Sequence, residues 1–269
     1  MRTKAGGLPV WLIPHVLSLD APLVALAWQG LLAAHTGLPL RTPGRIVLAL
    51  TVWLIYVADR LLDVRALRAP PQTARHYFYF SHPTAATWLL GSIVILDLAV
   101  IGLDLRPEVL RTGLVPSLCV AGYLALVHTT RFRIPKELLV AFLFTVGTFV
   151  VAWTNAPDPA RELWLPALSF IALCLANLIL IERWETAELA RDNSTPRHRF
   201  TVALCNTFPV WVSVLLIAAA TGWNAPWYRC IAISTAALLA LLAAGRLMRL
   251  DVRRALADVA LLTPIFFLL

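Results

Sequence analysis

Apolar runs and short polar breaks alternate along the whole chain, and the runs are long enough to cross a bilayer. A helix needs about 20 predominantly apolar residues to span the hydrocarbon core. Runs of that order lie near residues 10–33, 44–63, 84–103, 109–128, 137–154, 163–182, 202–222, 227–247 and 255–269, the fifth and ninth being short. The pattern predicts an all-α polytopic membrane protein of about nine transmembrane helices. No polar break exceeds roughly 20 residues, too few to build an independent soluble core. One transmembrane domain over residues 1–269 is therefore expected.

The breaks differ in content. Those rich in Lys and Arg alternate with short ones built from turn formers and tryptophan, such as Gly37–Gly44 and Trp223–Trp227. Counted by alternate sides, one face of the membrane receives seventeen Lys and Arg residues and the other six. By the positive-inside rule the N-terminus and the arginine-rich loops face the cytoplasm, which implies an integral protein of a bacterial inner (plasma) membrane. Arg2 and Lys4 before the first run resemble a signal peptide, but that run is long and has no convincing cleavage site, so a retained first helix is expected.

Composition agrees with the pattern: 59% of residues are apolar and 14% charged, against about 25% charged in soluble domains. The formal charge of +8 sits in short clusters between spans rather than in a stripe, so no nucleic-acid partner is implied. Cys119, Cys174, Cys205 and Cys230 are scattered singly without metal-type spacing and read as small core residues.

Two of the arginine-rich stretches echo each other. Leu54–Phe78 and Leu178–Phe200 each end an apolar run in acidic residues and close on Thr-x-Arg-His-x-Phe. Asp63 and Glu185, Thr73 and Thr195, Arg75 and Arg197, His76 and His198, and Phe78 and Phe200 are all 122 residues apart. One offset at five positions suggests an internal duplication, with half-repeats over about 10–130 and 131–250 and a last helix at 255–269.

The acidic positions carry the candidate chemistry. Asp59 and Asp63 are four apart, hence on one helical face. Two carboxylates there need a cation, either the neighbouring Arg60 and Arg65 at a solvated helix end or a magnesium ion shared with substrate phosphates. Glu182, Glu185 and Glu188 recur at spacing three, with Asn177 earlier on the same run. Arginine forks suit phosphate oxygens, so Arg60, Arg75, Arg131, Arg133, Lys136 and Arg197 are candidate anion contacts. His15, Asp20, Asp97 and Asp258 lie inside apolar runs and each needs a partner there. For Asp258 the expected partner is Arg254, one turn before it.

These residues resemble the UbiA superfamily of intramembrane prenyltransferases. In that family two cytoplasmic acidic motifs, after the second and sixth helices of a nine-helix bundle, hold magnesium and an isoprenyl diphosphate. The first motif reads roughly Asn-Asp-x-x-Asp-Arg-x-x-Asp. Ala58 to Asp63 is similar to its second half, while Ile55 and Tyr56 replace the Asn-Asp pair. The second motif corresponds to the region of Asn177, Glu182 and Glu185, where this chain carries glutamates.

The resemblance implies Mg2+ held by Asp59, Asp63, Asn177, Glu182 and Glu185, with Asp59, Asp63, Glu182 and Glu185 as the catalytic set. It implies diphosphate contacts from Arg60, Arg75, Arg131, Arg133, Lys136 and Arg197. The expected reaction moves an isoprenyl group from an isoprenyl diphosphate to a lipophilic acceptor. The alternatives are a UbiA-type terpene cyclase and a non-catalytic membrane protein that binds a lipid or a partner on the same scaffold. Trp53, Tyr56, Phe144, Phe149 and Trp184 are candidate walls for the allylic cation.

Overall fold

A computed structural model describes residues 9–65, 67, 70–71, 73–129, 135–189 and 198–268. Among them every regular element is a helix: α1 (Ile13–Val16), α2 (Asp20–Thr36), α3 (Thr42–Arg65), α4 (Ala74–Ser81), α5 (Pro83–Asp104), α6 (Pro107–Thr129), α7 (Lys136–Asn155), α8 (Pro159–Leu189), α9 (Arg199–Asn206), α10 (Phe208–Thr221), α11 (Pro226–Ala244), α12 (Leu250–Ala260) and α13 (Ile265–Leu268). α5, α6, α8 and α11 each begin on a proline. Its fixed φ suits a first turn, where its missing N–H costs nothing.

Among the described residues five helices, α5 to α8 and α11, are long and apolar enough to cross a membrane. The number rises to seven if α1 with α2, bent by 81°, and α9 with α10, bent by 71°, each form one broken span. These long apolar helices are compatible with an integral membrane protein. The count stands below the expected nine. The two remaining stretches are α3, which ends in Asp59, Arg60, Asp63 and Arg65, and the C-terminal one, which breaks into α12 and α13 around Pro264.

Local sequence explains the bends. At the α1–α2 break Ser18 adopts a left-handed φ of 57°, a conformation that costs a residue with a Cβ and persists only where packing fixes it. Ser18 is fully buried, and its Oγ accepts a hydrogen bond from the Tyr79 hydroxyl at 3.5 Å. α2 ends on Gly37 at φ 69°, the left-handed cap that glycine supplies without steric cost.

The two echo stretches each lead into an eight-residue helix, α4 after α3 and α9 after α8. Within these, however, the matched histidines differ in role. His76 lies inside α4, whereas His198 caps α9 by accepting the Phe200 N–H.

The centre is aromatic. Trp28 on α2, Phe149 on α7, Phe170 on α8 and Trp227 on α11 are fully buried, with ring centroids 4.8 to 6.2 Å apart in tilted, stacked and edge-on pairs. Each such pair adds about 0.5–1.5 kcal/mol beyond the area it buries. The Trp28 indole N–H finds a partner in the Leu261 carbonyl at 2.7 Å, which ties the end of α12 to α2. By contrast α5 and α6 expose most of their apolar side chains, as lipid-facing helices do.

Candidate active site at the two ends of a cavity

A cavity of about 310 Å³ opens between α2, α3, α4, α6, α7, α8 and α12. Both acidic motifs line it: Asp59 and Asp63 from α3, Glu182 and Glu185 from α8. Their different exposure separates an outer end from an inner one. Side chains of Asp63 and Glu185 are 38% and 28% exposed, those of Asp20 and Arg75 only 12% and 5%.

At the outer end Arg60 provides the cation that the Asp59–Asp63 pair requires. Its Nη1 lies 3.0 Å from Asp63 Oδ2 and 3.4 Å from Asp59 Oδ2. Histidines flank the pair, His128 Nε2 at 3.2 Å from Asp59 Oδ1 and His76 Nε2 at 3.5 Å from Asp63 Oδ2. Burial holds His76 below the ordinary imidazole range, so its ring is neutral at pH 7, with Nδ1 2.7 Å from the Thr73 hydroxyl. Ligand atoms of Asp59, Asp63 and His128 lie within 4.8 Å of one another. That spacing and two carboxylate donors fit a hard divalent cation. The position already attracts positive charge, since the Arg60 guanidinium occupies it.

Across the cavity mouth, Arg254 Nη1 stands 3.2 Å from Glu185 Oε1. Arg254 is buried and lines the cavity, and its Nε and Nη1 have no well-aligned acceptor among the described residues. Lys136, at the start of α7, lines the same space. Glu188 pairs with Arg253, which lies over the Trp184 ring.

The inner end is a separate polar group. Arg75 Nη2 donates to Asp20 Oδ2 at 2.5 Å and reaches Asp258 Oδ2 at 3.4 Å, and Arg75 Nε donates to the His15 carbonyl at 2.9 Å. His15 Nδ1 lies 2.8 Å from Asp20 Oδ2 and 2.7 Å from Arg75 Nη2. That nitrogen satisfies only one of the two at a time, donating to the carboxylate or accepting from the guanidinium. Asn177 Nδ2 donates to Asp258 Oδ1 at 3.0 Å.

Several expectations change accordingly. Arg75, expected on a diphosphate, is committed to carboxylates at the inner end because it is too buried to remain unpaired. Asn177, expected among the metal ligands, is bonded to Asp258. The local Arg254–Asp258 pair does not form, since Arg254 meets Glu185 and Asp258 meets His15, Arg75 and Asn177. Of the five aromatic wall candidates Tyr56 and Phe144 line the cavity. Phe149 belongs to the aromatic core, Trp53 donates to the Leu17 carbonyl, and Trp184 packs under Arg253. Arg131, Arg133 and Arg197 lie outside the described residues.

The sequence reading missed His128 and Arg254 as site residues. His128 sits near the end of an apolar run, a position with no motif around it. Arg254 was visible as a charge on the last run, but its direction depends on how α12 packs. Compared with protein-family models, curated proteins and solved structures, the chain matches none.

Proposed function

We propose that this chain is an intramembrane prenyltransferase of the UbiA type, acting on an isoprenyl diphosphate and a lipophilic acceptor. The observation that carries the reading is the convergence of Asp59, Asp63, Glu182 and Glu185 on one cavity that also holds Arg60, Lys136 and Arg254. Acidic residues alone would repel a diphosphate. Acidic residues with basic ones beside them suit a diphosphate bound through Mg2+. On this reading the protein has nine spans in two related halves, with α3 and the α12–α13 stretch completing the bundle and both motif loops in the cytoplasm.

Asp59 and Asp63, with Glu182 and Glu185 opposite, would hold the Mg2+, which supplies charge neutralisation for the departing diphosphate. Arg60 then exchanges its carboxylate partners for phosphate oxygens. Arg254 and Lys136 add donors on the other side, so that negative charge developing at the leaving oxygen meets positions already fixed. Tyr56 and Phe144, whose rings meet edge-on at 6.5 Å, line the apolar part of the cavity. Their faces offer cation–π attraction to the allylic carbon.

Purified protein in nanodiscs, incubated with farnesyl diphosphate or a longer homologue, tests this. The reading requires magnesium-dependent diphosphate release. Product formed without any acceptor would assign the cyclase chemistry instead. One observation favours a non-catalytic lipid-binding role: Arg60 already satisfies the Asp59–Asp63 pair. Absence of magnesium-dependent binding of any isoprenyl diphosphate would decide for it.

A further inference from the structure

At the inner end of the cavity one buried acceptor is left over. Asp20 and Asp258 bring four carboxylate oxygens, and Asn177 brings an amide oxygen. Each carboxylate oxygen has a donor in reach: Arg75 Nη2, with its two N–H groups, and His15 Nδ1 beside the two Oδ2 atoms, Asn177 Nδ2 at Asp258 Oδ1, and the backbone N–H of Ala21 at Asp20 Oδ1, 3.0 Å away. Asn177 is 7% exposed and lines the cavity, yet its Oδ1 has no partner among the described residues. Turning the amide over would place that oxygen 3.0 Å from Asp258 Oδ1, oxygen against oxygen, so the unpaired atom remains an acceptor. A buried acceptor without a donor costs about 1–3 kcal/mol.

Two occupants are unsuited to this place. A metal ion bound by His15, Asp20 and Asp258, whose ligand atoms lie within 4.8 Å of one another, would collide with Arg75 Nη2, already 2.5 Å from Asp20 Oδ2. An anion would face two carboxylates countered by a single guanidinium. Apolar side chains continue the cavity beside the cluster, with Ala21, Val24, Ala141 and Leu261 among them.

We propose that the inner end is a binding site for an apolar molecule with a hydrogen-bond-donating head, a hydroxyl or an ammonium. The head donates to Asn177 Oδ1 and to Asp258 or Asp20, and the apolar body lies against the aliphatic wall. The binding stands apart from the prenyl-transfer reading; only naming the occupant as the acceptor substrate rests on that reading.

The test is binding to the protein in nanodiscs without magnesium or any diphosphate, with binding to empty nanodiscs subtracted. 1-Naphthol and 1-naphthylmethylamine carry the donor; 1-methylnaphthalene has a similar skeleton and none. At least one donor-bearing probe should bind about tenfold more tightly than 1-methylnaphthalene, the value of one buried hydrogen bond. That preference should fall severalfold in Asn177→Leu or in the near-isosteric Asp258→Asn, checked for folding by thermal unfolding. Equal affinity of all three probes for the unsubstituted protein overturns the proposal, and that comparison needs no variant to fold. A preference unchanged in a folded variant overturns it as well. Loss of diphosphate chemistry in the presence of this binding would instead reject the transferase reading alone.

Discussion

Arg254 lies 3.2 Å from Glu185, and Asp258, one turn further along the same helix, pairs at 3.0 Å with Asn177, two turns earlier on α8. These contacts, with Arg253 and Glu188 beyond them, run as antiparallel rungs between α8 and α12. The upper rungs border the outer end of the cavity and the lowest joins the inner end. One short helix near the C-terminus therefore fixes both.

Arg254 is the residue on which a phosphate contact can be separated from fold. Its Nε and Nη1 lack well-aligned acceptors among the described residues, while the side chain lines the cavity. Arg254→Gln is expected to raise KM for the isoprenyl diphosphate about tenfold, the scale of a hydrogen bond to a charged group. Arg254→Lys should recover part of that loss. Steady-state kinetics on both variants checks this, and a KM unchanged in the glutamine variant would assign Arg254 to the α8–α12 contact only.

Arg75 and Arg60, both arginines among carboxylates, should behave oppositely. Arg75→Met strands Asp20 and Asp258 in a buried setting, where breaking such a group costs about 3–5 kcal/mol. Arg60→Met leaves the more exposed Asp59 and Asp63, and the loss should stay near or below about 1 kcal/mol. Thermal unfolding in a mild detergent should show a large drop in Tm for the first variant and a small one for the second.

Magnesium affinity supplies a sign test. Because the Arg60 guanidinium holds the space between Asp59 and Asp63, Arg60→Gln should strengthen magnesium binding in the absence of substrate. Turnover should fall in the same variant, since the proposed diphosphate contact is lost. Calorimetric titration that finds weaker magnesium binding would place the metal elsewhere.

Much of this architecture is written in local patterns. Apolar runs and the prolines at Pro83, Pro107, Pro159 and Pro226 mark where helices lie, because span length and helix starts depend on neighbouring residues alone. That Asp63 and Glu185 line one cavity was legible from their matched place in two similar stretches, with Asp59 and Glu182 close by in each. The roles of the arginines and histidines were not. Arg75 and Arg197 share a motif, but burial commits Arg75 to Asp20, a partner 55 residues away. His76 and His198 share the same motif, yet one faces Asp63 and the other caps a helix. Partner choice among charges is set by tertiary packing, which spacing in one chain does not encode. The helix break at Ser18 was equally hidden, since nothing in a serine marks a left-handed turn.

The central claim is that Asp63 and Glu185, 122 residues apart in the sequence, act on one ligand. Magnesium-dependent binding of a non-hydrolysable farnesyl diphosphate analogue to Asp63→Ala and to Glu185→Ala tests it most directly. The account predicts that each substitution alone removes that binding while the protein stays folded. Unchanged magnesium-dependent binding in either folded variant would contradict it.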